Sequence, residues 1–518
     1  MNPDRPFFSI LTPVFNPPID AFRACVQSVL DQEYQNWEWC IVDDAADQSL
    51  VWTAIEDLAY LDERIRVSRR SENGGIVAAS NDAASMAKGR FVCLLDHDDM
   101  LHPTALTEVA AAIEARDSVD YVYTDEDKID SDGNHYDVFL KPAWSPERLR
   151  GQNYCCHLSV IRKELFDQVG GFRQGFDGSQ DYDLILRVTE MARRIEHIPK
   201  VLYHWRAVDG STASSIDEKP YAFRAAQIAL KDHLQRVGIQ GDVEDAGFGY
   251  HKVVRRMTDE PLVSIVIPTR GDSKLIRASR RSLVLRCVDS ILANRHSYAN
   301  FELIIVADTS TPFEVISELE KKQATRVVPY DKPFNFSDKC NVGFLHSKGD
   351  VIVLLNDDTE VITVDWLATL VALAITPDVG VVGPMLLLED GRIQSAGHSN
   401  TPSPHNFRSG HSANQPGEFG ILAVARECSG VTGAAMAIRR EVYIEAGGMS
   451  VSFANCFNDV DFCFKVLELG YRIIWTPHSR LFHYESITRT PDVAEMELCL
   501  LYRRWGRFFD ADRLCRLN

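Results

Sequence analysis

The sequence predicts an α/β protein built as two doubly wound domains in tandem, and three observations carry that prediction. Apolar runs of strand length alternate with helical patterns from Phe8 onward, the order expected of β-α-β units. Two of those runs, Phe91-Val-Cys-Leu-Leu-Asp-His-Asp-Asp99 and Val351-Ile-Val-Leu-Leu-Asn-Asp-Asp358, end in clustered acids. Asn81 and Asn341, Gly89 and Gly349, Asp96 and Asn356, and Asp98 and Asp358 are each 260 residues apart, so this block aligns without a gap. A register kept across so many elements marks an internal duplication of a unit of roughly 250 residues, too long a period for a solenoid.

Taken in order, Phe8 to Val14 reads as a short strand ending in Thr12-Pro13, followed by a helix to about Leu30. Trp37 to Val42 is a strand ending in Asp43-Asp44, Val51 to Leu61 a helix, and Ile65 to Ser68 a strand. Asn73-Gly74-Gly75 opens a helix stopped by Gly89, and Phe91 to Leu95 is the strand that runs into the acidic turn. This order predicts a parallel sheet with right-handed crossovers, whose ligands sit outside the strands' carboxyl ends. Pro103 to Ala115 then reads as a helix, Val119 to Thr124 and Cys155 to Arg162 as strands, and Gln180-Asp181-Tyr-Asp183 as the start of a helix. A strand bearing His204 follows. Leu262 to Thr269 begins the cycle again, and Asn458-Asp459-Val-Asp461 and Phe482-His483-Tyr484 echo the later elements. The expected domains are 1–215 and 259–490, with a helical connector over 216–258 and a helical tail over 491–518.

Composition bounds the chemistry. The 518 residues exceed what one core usually serves, and the net charge of −19, with no Lys/Arg-dense tract, argues against a nucleic-acid partner. An acidic protein that holds an anionic substrate needs a divalent cation between them, and clustered Asp suits Mg²⁺ or Mn²⁺. The 12 Cys are scattered without zinc spacing, which fits reduced cytoplasmic thiols. The first strand begins at Phe7, leaving no room for a signal peptide, and no apolar run is long enough to span a bilayer.

An Asp-x-Asp on a surface turn is ordinarily only solvated, and a carboxylate such as Asp181 at a helix start has a sufficient role in stabilising the macrodipole. Recurrence shifts the balance: Asp181 precedes His204 by 23 residues and Asp459 precedes His483 by 24. A metal held by Asp98 and His204 bridges a diphosphate, Asp44 accepts hydrogen bonds from a base, and Asp181 takes a proton from an incoming hydroxyl. Those roles describe displacement of a nucleoside diphosphate by an alcohol.

The combination of strand-Thr-Pro, Val-Asp-Asp, Asp-x-Asp-Asp, Gln/Asn-Asp-x-Asp and a late His resembles the family 2 inverting glycosyltransferases of the GT-A (Rossmann-like) fold, twice over. Tyr123-Thr-Asp-Glu-Asp-Lys128, Lys141-Pro-Ala-Trp-Ser-Pro146, Tyr203-His-Trp-Arg206 and Pro333-Phe-Asn-Phe-Ser337 are similar to bacterial tandem-domain enzymes of surface-polysaccharide assembly, often described as rhamnosyltransferases. The resemblance implies nucleoside-diphosphate sugar donors and an oligosaccharide or lipid-linked glycan acceptor. It implies donor contacts at Thr12, Pro13, Asp44, Asp96, Pro268, Thr269, Asp308 and Asn356. It further implies metal contacts at Asp98, His204, Asp358 and His483, and catalytic bases at Asp181 and Asp459. Asn356 in place of Asp96 and Ala307 in place of Asp43 set the second domain apart.

Two segments stay open on sequence alone. Lys274 to Arg286 is either a solvated helix face or a clamp on donor phosphate or an anionic acceptor, and Tyr502 to Phe509 either packs on a helix or touches an anionic membrane. The main rivals are a sugar-phosphate nucleotidyltransferase, which wants a Gly-rich, Arg-bearing loop where Thr-Pro-Val-Phe-Asn stands, and a protein with one catalytic domain and one that binds acceptor or scaffolds.

Overall fold

The computed structural model describes residues 5–47, 49–130, 132–207, 220–277, 279–401, 403–484, 495–509 and 512–516. The expected domain boundaries at 215 and 490 lie outside these residues.

Each half is built on one sheet, and the two sheets have the same strand order. In the first, Ile65–Arg69, Trp37–Asp43, Phe8–Val14 and Phe91–Leu94 lie side by side in parallel. Ser159–Arg162 then runs antiparallel to Phe91–Leu94, Tyr121–Ile129 antiparallel to Ser159–Arg162, and Ile195–Arg206 parallel to Tyr121–Ile129. Thr325–Tyr330, Phe301–Asp308, Val263–Thr269, Val351–Leu355, Ala435–Arg439, Val379–Leu387 and Arg472–His483 repeat that arrangement. The parallel order expected for the first four strands holds, and Ser159–Arg162 is the antiparallel insert. A strand buried on both faces shows the same apolar run whichever way it points, so the pattern fixes the element and leaves its direction open.

Both faces are covered. Phe8, Ile10 and Val14 pack with Phe22, Cys25 and Val29 of the helix Ile19–Leu30, while Leu11 faces Val77, Ala79 and Ala83 of the helix Gly75–Met86. The repeated residues turn out to be structural fasteners. The Ser9 hydroxyl donates to Glu38 (2.6 Å) and accepts from the Gly89 N–H (2.8 Å), as Ser264 does with Glu302 (2.6 Å) and Gly349 (2.7 Å). A Cβ on Gly89 would lie 2.6 Å from the Ser9 nitrogen, which is why glycine stands there. Asn81 clamps both backbone groups of Phe172, and Asn341 those of Met449.

Three further segments take forms that the sequence described only in part. The connector is a helix, Pro220–Arg236, followed by a hairpin of Gly241–Gly247 and Tyr250–Arg255. Lys274 to Arg286 is not a helix face: Ser273–Ile276 and Ser279–Ser282 form a second hairpin before the helix Leu283–Ala293. The tail helix Glu495–Trp505 packs on the helix Asn458–Glu468, with Trp505 only 3% exposed and its indole N–H donating to Asp461 (2.8 Å). Trp505 and Phe509 are thus core residues, unavailable to a membrane surface. No helix of the described residues is long and apolar enough to cross a membrane.

Buried charge joins the halves. Glu427 accepts from the Ser145 hydroxyl and pairs with Arg472, while Glu147 pairs with Arg255 (2.6 Å) and Arg150 (2.9 Å). Burial raises the Glu147 carboxyl, but the guanidiniums of Arg255 and Arg150 outweigh it and bring the pKa to about 2. A folded pKa below the ordinary value contributes stability that is complete above about pH 4.5 and is lost as pH falls toward 2. Thermal unfolding of the full chain from pH 7 to pH 2 should therefore show an acid loss on the order of 3 kcal/mol that Glu147→Gln lacks. At neutral pH that variant should be less stable than the wild type, because Arg255 keeps its buried charge without a partner.

Candidate active site

The second half gathers its predicted residues in one cleft. The parallel strands Val263–Thr269, Phe301–Asp308 and Val351–Leu355 deliver Thr269, Asp308 and the turn Asn356-Asp357-Asp358 from their carboxyl ends. The helix Asn458–Glu468 adds Asp459 in its first turn, and the last residue of Arg472–His483 adds His483. Together with Pro268 they line a cleft of about 490 Å³.

Within it, His483 Nε2 lies 3.0 Å from Asp358 Oδ1 and 3.3 Å from Asn356 Nδ2. The other ring nitrogen, Nδ1, faces Gln394 Oε1 at 2.7 Å. With Nδ1 on an amide oxygen, Nε2 is the nitrogen turned toward Asp358, and such an outer partner is commonly found behind a metal-binding histidine. A carboxylate oxygen and an imidazole nitrogen so placed suit a divalent cation, and the ring nitrogen suits Mn²⁺ better than Mg²⁺. Asp308 pairs with Lys339 (2.8 Å), whose ammonium also donates to the Thr269 carbonyl (2.8 Å). Asp459 accepts from the Gly433 N–H (2.9 Å) and from Val460 (2.9 Å) at its helix N-terminus. Its companion Asp461 is fully buried and held by Arg504 and Trp505, so only the first acid of that motif faces the cleft.

The first half presents a different picture. Asp44 has both oxygens occupied by the N–H groups of Gly74 (2.9 Å) and Gly75 (2.8 Å), with Arg70 alongside (3.0 Å). Asp181 accepts from Asn153 (2.8 Å), and Asp183 is buried against Arg173 and Arg187, as Asp461 is in the second half. Asp99 supports the turn, taking hydrogen bonds from Tyr203 (2.5 Å) and the Arg206 backbone (2.7 Å). Asp96 is pushed up by burial and held back chiefly by His157.

Asp98 and His204 lie on neighbouring backbone, with His204 opposite Met100, but they do not form an ion pair with each other. His204 is opposite Asp127 in strand register, and its Nδ1 lies 2.6 Å from Asp127 Oδ1. Asp127 also meets His135 Nδ1 (2.9 Å) and, despite burial, sits below its ordinary pKa because both imidazoles bond to it. Asp98 instead has His97 Nε2 at 4.0 Å. The ligand-bearing atoms that do converge, each group within 4.8 Å, are Asp127, His135 and His204, and Asp96, Asp99 and His157. Thr12 is corrected too. Its hydroxyl is fully buried and accepts from the Trp39 indole (2.9 Å), and strand register matches Pro13 with Pro268, so Thr12 corresponds to Ile267 and Thr269 to Val14. The Pro13 carbonyl meets His97 Nδ1 at 3.1 Å.

Sequence reasoning assigned no role to Asp127, although it lies in the quoted string Tyr123 to Lys128, and passed over His135, His157, Lys339 and Gln394. Lys339 carried a signal: it stands 260 residues after Ala79, a cation where the first half has a methyl group.

The model of the family described as Glycosyl transferase family 2 matches residues 9–170 and 264–447, more than half of the chain. The chain belongs to glycosyl transferase family 2. Its two sheets are tandem GT-A units. It is similar to the uncharacterized protein y4gI of Sinorhizobium fredii (40% identity over 98% of this chain and 57% of that protein). It is also similar to the O-antigen biosynthesis protein RfbC of Myxococcus xanthus (35% identity, 97% and 39%). The chain thus spans about half or less of the length of these relatives. Among solved structures, S. aureus TarS 1-349 in complex with UDP matches with a TM-score of 0.35 and 20% identity, over 43% of this chain and 64% of that one.

Asp357 offers a direct reading of the second cleft. Burial, then the Asp358 charge, pushes its carboxyl up to about 7, against the lowering effect of the Thr269 hydroxyl (2.6 Å). A folded pKa above the ordinary value means stability present at pH 4 and lost as pH rises through 7. Asp357→Asn should remove that loss, seen as a flatter melting temperature between pH 4 and pH 8. A wild-type curve no steeper than the variant's would contradict the assignment.

Proposed function

We propose that the chain is a bifunctional inverting glycosyltransferase acting in bacterial surface-polysaccharide assembly of the O-antigen or capsule type. In this reading each half takes a nucleoside-diphosphate sugar and passes the sugar to an oligosaccharide or lipid-linked glycan; rhamnose is the sugar that the motif resemblance brings forward. The convergence of Asp308, Asn356, Asp358, Asp459 and His483 on one cleft is the observation that carries it. RfbC of Myxococcus xanthus, by its printed name an O-antigen biosynthesis protein, supports the polysaccharide assignment. Work at the inner face of the cytoplasmic membrane fits a lipid-linked acceptor.

In the second half Asp459 acts as general base, its carboxylate held at a helix N-terminus where two backbone N–H groups fix its direction. Asp308 receives the base of the nucleotide, and Asn356 presents an amide to the ribose where Asp96 stands in the first half. Asp358 and His483 hold Mg²⁺ or Mn²⁺, which when bound offsets the charge of the departing diphosphate. The acceptor oxygen, stripped of its proton by Asp459, attacks the anomeric carbon from the face opposite the leaving group, so the configuration inverts. Asp181 takes the corresponding part in the first half.

A second reading rests on the asymmetry between the sites. Asp44 is closed off by Gly74 and Gly75, and His204 pairs with Asp127 rather than with Asp98, features that favour a first half that binds acceptor while the second half transfers. One experiment separates the two: diphosphate release and product linkage from a panel of nucleoside-diphosphate sugars with Mn²⁺ or Mg²⁺. Asp459→Asn should lower one linkage by about 10²–10⁴-fold and leave the other, Asp181→Asn the converse. If Asp181→Asn changes nothing while Asp459→Asn abolishes transfer, the second half is the sole catalyst. Addition of EDTA should stop release, and Mn²⁺ should restore it; release indifferent to EDTA would count against Asp358 and His483 as metal ligands.

A further inference from the structure

A second cleft lies where the two halves meet the C-terminal segment, and its chemistry is the reverse of the acidic one. It holds about 770 Å³, within the range of about 300–1,000 Å³ usual for small-molecule sites. The first half contributes Trp144, Arg116, Arg194 and His197, the second half Ser399 and Thr401, and the C-terminal segment Arg513 and Arg516. Its position is fixed by backbone and charge: the Ala143 N–H donates to the Arg513 carbonyl (2.7 Å), and the Arg516 guanidinium pairs with Asp125 (2.7 Å).

Four arginines thus line a cleft whose acids are Glu196 and Asp512, in a chain of net charge −19. The acids are already engaged. Glu196 is shared between Arg116 (3.4 Å) and Arg194 (3.3 Å), and Asp512 takes the Ser429 hydroxyl (2.7 Å) and the Asn400 N–H (2.9 Å). Arg513 is exposed, and no acid lies within ion-pair distance of it among the described residues. Beside these cations stands the half-buried Trp144. Guanidinium forks match carboxylates, and an indole face matches the C–H face of a pyranose ring. The cleft also adjoins elements that carry both candidate sites. Asp125, which anchors Arg516, is two residues from Asp127 on the strand beside His204, and Ser399 follows His398, whose ring is close enough to feel the Asp459 charge.

We infer that this cleft is a binding site for an acidic stretch of the glycan, with Trp144 stacking on a sugar ring and Arg116, Arg194 and Arg513 meeting uronate carboxylates. The inference rests on the transferase reading above for the identity of its ligand as acceptor. It adds a site outside both donor clefts, built from residues of both halves and of the C-terminal segment.

The test is calorimetric titration of the full chain with an octamer of galacturonate, with maltooctaose as the neutral match and inorganic pyrophosphate as a phosphate probe. The acidic octamer should bind at least 10-fold more tightly than the neutral one and weaken as salt rises. Arg116→Ala with Arg513→Ala should reduce its affinity at least 10-fold, Trp144→Ala at least 5-fold, and Arg513→Lys should restore part of the loss to Arg513→Ala. Asp181→Asn and Asp459→Asn should leave binding unchanged. Absence of acidic octamer binding, equal binding of the two octamers, or indifference to the arginine pair overturns the inference. Pyrophosphate binding that matches the octamer and falls with the same pair would reassign the cleft to a diphosphate group and also overturn it. Diphosphate release from sugar donors, measured on the same protein, keeps the two claims apart: release without octamer binding sinks the cleft alone, whereas octamer binding without release sinks the transferase reading.

Discussion

Everything in this molecule depends on one constraint of register. The first strand of each half is flanked on both sides by parallel partners, Trp37–Asp43 and Phe91–Leu94 around Phe8–Val14, and Phe301–Asp308 and Val351–Leu355 around Val263–Thr269. Parallel neighbours end at the same edge, so whatever follows their last apolar residue must meet there. Acids far apart in sequence, such as Asp308 and Asp358, share a cleft because the strands before them pack as apolar slabs between two helical layers. The fasteners at Ser9, Glu38 and Gly89, and at Ser264, Glu302 and Gly349, hold the opposite edge in step. Gly89 and Gly349 therefore belong to the scaffold.

With the scaffold shared, the differences between the halves are chemical. Asp44 is satisfied by backbone N–H groups at a helix start, Asp308 by the buried ammonium of Lys339. The first acid thus sits in a neutral backbone cradle, the second beside a cation. The late histidines diverge in the same way. His204 turns Nδ1 to a carboxylate, Asp127, whereas His483 turns Nδ1 to a neutral amide, Gln394. One duplicated motif thus supplies a histidine that meets Asp127 through Nδ1 in the first half and one that meets Asp358 through Nε2 in the second.

How much of this was legible beforehand follows from what sequence patterns encode. The strands and helices of the parallel part were readable because buried runs and periodic faces are local properties, and the duplication because Asn81, Gly89 and Asp98 recur at one spacing. The convergence of the second site followed from strand ends. Direction was not legible: Ser159–Arg162 inserts antiparallel between two strands that precede it in the chain, and nothing in its residues says so. Neither was the partnership of His204 with Asp127 and His135, which depends on which strand lies next to Ile195–Arg206 and on a hairpin that returns His135 to it. The tail was ambiguous because arginine and aromatic residues serve a membrane surface and a helix interface equally well. Asp461, buried between Arg504 and Trp505, ties Trp505 to the helix interface.

The junction between the halves carries the last step. Ser145 and Glu147 stand immediately after Trp144, and they are the residues that engage Glu427 and Arg255. A buried ion pair contributes little net stability once desolvation is subtracted, but it penalises any arrangement that leaves either charge alone. Glu147 and Glu427 therefore act less as glue than as a setting: they fix how the second sheet is seated against the loop that follows Lys141. Because that same loop presents Trp144, and because Arg513 and Arg516 close over it from the far end of the chain, the basic cleft exists only in the seated arrangement. The geometry of the junction and the chemistry of the cleft are one feature, specified by a short segment whose residues serve both.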